Sequence, residues 1–144
     1  MASVLCTVTL IVTFLVLSMD DQIVIASLGA TAFVVFAMPK SRAAETSRTI
    51  GGHAIGLLCG SLASLIPHAG HASTAIVYGL TVGVACFLML VTRYKHPPAA
   101  GTALGITATG MSTSTIVFVV LSVILISILR IVTLNLLQDF SADD

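Results

Sequence analysis

Apolar residues fall into six runs along the chain, separated by short polar breaks. The runs cover residues 4–19, 23–38, 50–66, 74–91, 98–113 and 114–136. Asp20-Asp21-Gln22 ends the first, and Pro39 stops the second. The longest polar segment, 39–49, holds Lys40, Arg42, Glu45 and Arg48. Pro67-His68-Ala69-Gly70-His71 divides the third run from the fourth, and Arg93-Tyr94-Lys95-His96 divides the fourth from the fifth. A helix that crosses the hydrocarbon core needs about 20 apolar residues, with about 17 a usual lower limit. The second and fifth runs lie at or below that limit and predict short or broken crossings. The pattern predicts an all-α fold: a polytopic membrane helical bundle of about six short helices, a single membrane domain over 1–144.

Charge sorts the breaks into two sides. Basic residues prefer cytoplasmic loops. Lys40, Arg42 and Arg48 precede the third run, while Arg93 and Lys95 follow the fourth. If runs three and four form a hairpin, these loops share a side, expected to be cytoplasmic. The loops at 20–22 and 67–73 carry no Lys or Arg and belong opposite. If run five crosses, run six returns and places Arg130 among the other cations. If run five only dips and re-enters, Arg130 faces outward, against the rule.

Six crossings divide into two sets of three, 1–66 and 74–136, each with a short middle member. Gly29-Ala30-Thr31-Ala32 in run two echoes Gly101-Thr102-Ala103 in run five. An odd number of helices per set inverts one half against the other, and paired Gly-interrupted segments point to a midplane binding site. A 3+3 inverted repeat is one reading; an echo of a few residues also arises by chance. Gly52, Gly56 and Gly60 recur every four positions, as do Gly79 with Gly83 and Gly101 with Gly105. Such ridges let helices approach closely in lipid.

Composition makes the bilayer the solvent. Of 144 residues 57% are hydrophobic and 8% charged, against roughly a quarter charged in soluble domains. Nothing resembles a nucleic-acid surface. Cys6, Cys59 and Cys86 stand singly in apolar runs, without zinc or redox spacing. The N-terminus has no basic region of the kind that precedes a cleaved signal, so the first run is expected to be a retained helix. No carboxylate lies inside a run, and no nucleophile–base pair is visible, so enzyme chemistry is not expected and no catalytic residue is named. No metal site or cofactor is expected either. His68 and His71 have no neighbouring acid or thiol.

Two places carry candidate chemistry. His53 follows Gly51-Gly52 one turn into the third run, and an ionisable group there is a functional candidate. The second is Lys95-His96-Pro97-Pro98-Ala99-Ala100-Gly101-Thr102. Proline suits the first turn of a helix. The N–H groups of Ala99, Ala100 and Gly101 would then lie at a helix start, where partial positive charge can hold an anion. Arg42, Arg48, Lys95, His53 and His96 would form a cationic vestibule. The alternatives are a tightly packed helix start and ordinary topological charge.

These residues resemble a known signature. His96-Pro97-Pro98-Ala99 followed by Gly101-Thr102-Ala103-Leu104 is similar to that of the HPP family of small integral membrane proteins. Gly29-Ala30-Thr31-Ala32 with Val34-Val35-Phe36-Ala37-Met38-Pro39 resembles its first block, and Ile50-Gly51-Gly52-His53 its second. The likeness runs from about 29 to 105. Two features depart from it: the extra Ala100 before Gly101, and Lys40-Ser41-Arg42 after Pro39. The resemblance implies membrane transport, since members in cyanobacteria and chloroplasts are linked to nitrite; some members carry regulatory domains.

The expected function is a transporter or channel for a small monovalent anion, nitrite first, in a prokaryotic inner membrane. Its site would lie between runs two and five. Gly29, Ala30, Thr31, Pro97, Pro98, Ala99, Gly101 and Thr102 would line it, and His53 and His96 would gate it or carry a coupled proton. A homo-oligomer in the lipid bilayer is expected. The alternative is a non-transporting scaffold or sensor subunit that binds partner helices.

Overall fold

The computed structural model describes residues 2–17 and 22–134. The expected break at Asp20-Asp21 and the last residues of run six, 135–136, lie outside the described residues. Among the described residues six α-helices follow one another: α1 (Ala2–Leu17), α2 (Gln22–Ala37), α3 (Thr46–Ala63), α4 (His71–Val91), α5 (Pro98–Thr109) and α6 (Thr113–Thr133). The described residues form no strand. The fold is the expected helical membrane bundle.

Local chemistry sets the boundaries. The 39–49 segment is not all loop: Ser41 caps a short 3-10 turn, Arg42–Ala44, by accepting the Ala43 N–H at 3.2 Å. Thr46 then opens α3 a turn earlier than hydropathy suggests. Its first turn is steadied by Arg48, whose Nε donates to Glu45 at 2.7 Å. Pro98 occupies the first turn of α5. Gly110, at φ 88, ends α5 in a conformation that glycine adopts freely. Ser112 caps α6 by accepting the Thr115 N–H at 3.1 Å.

α4 and α6, at 21 residues each, are long and apolar enough to cross a membrane. α5 has only 12 residues, about 18 Å of helix against a hydrocarbon core of about 30 Å. It is tolerated because it is wrapped by α2, α3 and α4. Short helices are allowed at membrane depth where protein, not lipid, surrounds them. Large apolar side chains point outward instead, among them Phe33, Leu58, Leu80, Phe87 and Ile131. Several hydroxyls turn back to carbonyls of their own helix, as Thr81 does to Val77 at 2.7 Å and Ser122 to Phe118 at 2.6 Å.

Neighbour pairs fix the directions. Along α3, Gly52, Gly56 and Gly60 meet Ala99, then Ala99 with Ala103, then Ala103 with Ile106, so α3 and α5 run parallel. Ser27 meets Thr102 while Thr31 meets His96, so α2 runs against α5. At the far end of α6, Arg130 reaches Thr46 at 3.5 Å and the Pro39 carbonyl at 3.0 Å. Arg130 therefore lies among the other cations, as the crossing reading of run five requires. All six Lys and Arg residues gather at this end of the bundle, and His68 lies at the other.

This arrangement predicts a labelling pattern. In a Cys6, Cys59, Cys86→Ser background, cysteines at 45, 94 and 134 should react with an impermeant maleimide from one face of the membrane. A cysteine at 70 should react only from the other. Reaction at 134 from the same face as 70 would remove the sixth crossing.

The buried histidine and hydroxyl cluster

The α3–α5 ridge is what brings the chemistry together. A Cβ on Gly56 would lie 2.5 Å from the Ala99 carbonyl oxygen, and one on Gly60 would lie 2.7 Å from that of Ala103. No other residue permits backbones this close. The two glycines before His53 have a further task. Tyr94 lays its ring over Gly51, and the His96 Cβ sits over Gly52, where a side chain would come within 2.6 Å of it. The loop 92–97 can thus fold onto the start of α3 and point His96 into the bundle.

His53 and His96 are both fully buried, with ring centroids 5.2 Å apart. Thr31 lies between them: its Oγ1 is 2.9 Å from His53 Nε2 and 3.1 Å from His96 Nε2. The other nitrogen of His53 meets Thr102 Oγ1 at 3.0 Å. Thr102 meets Ser27 Oγ at 2.8 Å, and Ser27 donates to the Pro98 carbonyl at 2.6 Å. At the opposite end His96 Nδ1 donates to the Ala43 carbonyl at 2.8 Å. The result is one continuous line of polar atoms, buried toward the basic end of the bundle and with both its ends there, and no carboxylate is in it.

The two echoing threonines, Thr31 and Thr102, hold the same imidazole from its two nitrogens. Ser27 sits one helical turn from Thr31 on the same face, the spacing that stacks side chains on a helix. It lies in run two, outside the residues expected to line the site. The same geometry turns Gly29 and Ala30 away: Ala30 is exposed, and nothing approaches the Gly29 Cβ position within 4 Å.

On α5 the expected residues divide likewise. Thr102 faces the cluster, and Gly101 backs onto Ser27, whose Cβ would be 3.1 Å from a new methyl. Ala99 is buried against α3, Pro98 contributes its carbonyl, and Pro97 is exposed. The first turn of α5 is not an open row of donors. The Ala99 N–H bonds to His96 O at 3.0 Å and the Ala100 N–H to Pro97 O at 3.1 Å. The first turn tightens on itself, which removes two of the donors expected there.

The vestibule also differs in its lining. Arg42 and Lys95 are exposed, and Arg48 is held by Glu45. An open cavity of about 400 Å³ at the basic end is bordered instead by Lys40, Glu45 and Arg130. A second, apolar cavity of about 160 Å³ between α3 and α6 reaches His53 past Ile50, Leu57, Val119 and Val123.

The Gly-Gly-His block and the His-Pro-Pro block thus form one object, each shaped to admit the other. The family model described as HPP, transmembrane region, matches residues 1–142. The chain belongs to this HPP family. Two transmembrane proteins of Dictyostelium discoideum are similar to it, one 32% identical over 83 residues and one 31% identical over 80. The matches cover 58% and 56% of this HPP chain but 29% and 26% of the relatives, so the chain spans under a third of each. No solved structure matches it. It is an integral membrane protein.

Proposed function

We propose that this HPP protein moves a small monovalent anion across the membrane, by way of the Ser27–Thr31–His53–His96–Thr102 cluster. The observation that carries the reading is a buried polar line free of carboxylates, inside a bundle whose six cations sit at one end. Hydroxyls and imidazoles can offer hydrogens to an anion, and buried ionisable groups in membrane helices mark substrate or proton routes. Cations at the mouth would raise the local anion concentration. Nitrite is placed first on the family resemblance, and the basic end is taken as cytoplasmic on the charge rule.

The two halves are read here as an inverted repeat, as part of the same proposal. Thr31 and Thr102, the matching residues of α2 and α5, run on antiparallel helices and grip one ring from opposite sides. A second reading, a subunit that binds a partner helix or another copy of itself, has its own support. Nothing approaches the Cβ positions of Gly79 and Gly83 on α4 within 4 Å, so that ridge is open.

Flux into vesicles reconstituted with the pure protein separates these. Nitrite, nitrate, formate, chloride and potassium should be compared; nitrite uptake above empty vesicles is expected, and no flux of any ion would leave the partner-binding reading. Gly101→Val should reduce flux severely, because its side chain pushes Ser27 away from Thr102. Lys95→Ala should be milder. Its effect should fade at high salt, since exposed charges are screened beyond about 8–10 Å. A dead Lys95→Ala beside an active Gly101→Val would move the site to the surface cations.

A further inference from the structure

The cluster can be counted hydrogen by hydrogen. Its line runs from the Ala43 carbonyl through His96, Thr31, His53, Thr102 and Ser27 to the Pro98 carbonyl, with six contacts. Both ends are carbonyl oxygens, which only accept. Each hydroxyl brings one hydrogen and each neutral imidazole brings one, so the five side chains bring five. One contact in the neutral line therefore sets lone pair against lone pair. The Thr31 hydroxyl is also 3.0 Å from the Ser27 carbonyl, which makes demand on its single hydrogen greater.

We propose that the cluster is a one-proton store, in which the extra proton is shared between His53 and His96 across the Thr31 hydroxyl. One proton taken from water fills the sixth contact. With it on His96, that ring donates to Ala43 and Thr31, Thr31 donates to His53 Nε2, and His53, Thr102 and Ser27 donate in turn toward Pro98. To move it, His96 Nε2 gives its hydrogen to Thr31 Oγ1 while Thr31 gives its own to His53 Nε2. One N–H breaks and one forms, and no other hydrogen bond reverses. The line from His53 to Pro98 keeps its direction throughout, so the transfer is confined to three side chains.

Among the described residues the one acid near the rings is Glu45, and it is paired with Arg48. α2 offers only Ser27 and Thr31 to the rings, and α5 only Thr102 and the Pro98 carbonyl. α6 presents Val119 and Val123 beside His53. Tyr94 lies over Gly51, and Lys95 beside His96 is exposed. Arg42 is exposed, while Glu45 and Arg48 pair with each other on the turn and α3 start near Ala43. Arg130 is held at Pro39 and Thr46. The charge gained is thus unpaired until an anion arrives. That coupling rests on the transport reading, whereas proton uptake does not.

Nitrogen-15 histidine NMR of the full chain in lipid bilayers tests it, in a His68→Asn, His71→Asn background so that only the two buried rings report. One imidazolium equivalent, divided between His53 and His96, should appear as pH falls. Thr31→Val and Thr102→Val each delete two contacts of the line and one hydrogen, leaving four line contacts for four hydrogens. Both variants should lose the uptake, and Thr31→Ser should keep it. Circular dichroism identifies a variant that fails to fold, and either valine variant suffices. Rings that stay neutral while the protein remains folded would overturn the proposal, as would two independent protons or unchanged uptake in a folded valine variant. Uptake without anion flux would keep the store and reject the transporter; flux without uptake would do the reverse.

Discussion

Gly56→Leu should leave little folded protein. A side chain at this position starts 2.5 Å from the Ala99 carbonyl oxygen and 3.4 Å from its carbon, and both atoms are main chain. They yield only if α5 moves, and α5 carries Thr102 and is joined directly to His96. Overpacking a tolerant core costs about 1–3 kcal/mol, and a displaced backbone puts this site at or above the top of that range. The bilayer offers no hydrophobic force to restore the contact, because lipid tails are as apolar as leucine. The measurement is the yield of monodisperse protein and its unfolding temperature in detergent. Gly79→Leu is the control: nothing lies within 4 Å of that Cβ position, so parent-like behaviour is expected. If the two leucine variants are equally stable, the α3–α5 approach is not what holds the bundle.

The ridge shows how much of this fold is legible in the chain. The run boundaries at Pro39 and Pro98 fall where helices stop or start, because proline blocks a helix or opens one. The positive φ of Gly70 and Gly110 instead starts α4 before the run read from 74 and ends α5 inside the run read to 113. The Gly52-Gly56-Gly60 spacing announces a close helix contact. It does not say with which helix, since Gly79 and Gly83 have the same spacing and face open space. Hydropathy also ends the polar segment too late. Thr46, Ser47, Arg48 and Thr49 are poor membrane residues yet good for a helix start at the interface, where Glu45 can pair with Arg48.

The candidate site was legible in part for the same reason. His53, Thr31 and Thr102 stand out as polar groups in apolar runs, and His96 as the titratable ring just before Pro97-Pro98. The residues around them in sequence are a poor guide to the rest, because a helix turns about 100° per residue. Gly29 and Ala30 adjoin Thr31 in sequence and leave the site in space; Ser27, four back, joins it. The helix-start idea fails to foresee the 3-10 bonds from Ala99 and Ala100, which depend on how the His96 loop closes over α3. Which carbonyl orients His96 is equally invisible in the chain, since Ala43 is 53 residues away.

His53→Phe should fold and transport nothing. Phenylalanine is somewhat larger than histidine, so no cavity opens beside Val119 and Val123, and the apolar space between α3 and α6 can take the excess. Neither hydroxyl is stranded: Thr31 keeps His96 and the Ser27 carbonyl, and Thr102 keeps Ser27. The stability loss should then stay near the net worth of the two hydrogen bonds removed, about 0.5–1.5 kcal/mol each. Function should not survive, because that ring is what joins Thr31, and through it His96, to Thr102 across the cluster. Initial nitrite uptake into vesicles with matched amounts of protein should fall to the level of empty vesicles, with the helical circular dichroism spectrum unchanged. His71→Phe, at the opposite end of the bundle, should transport as the parent does. Parent-like flux from His53→Phe would make the buried line a packing device, and the anion would have to pass elsewhere, with the Lys40–Arg130 cavity the first place to look.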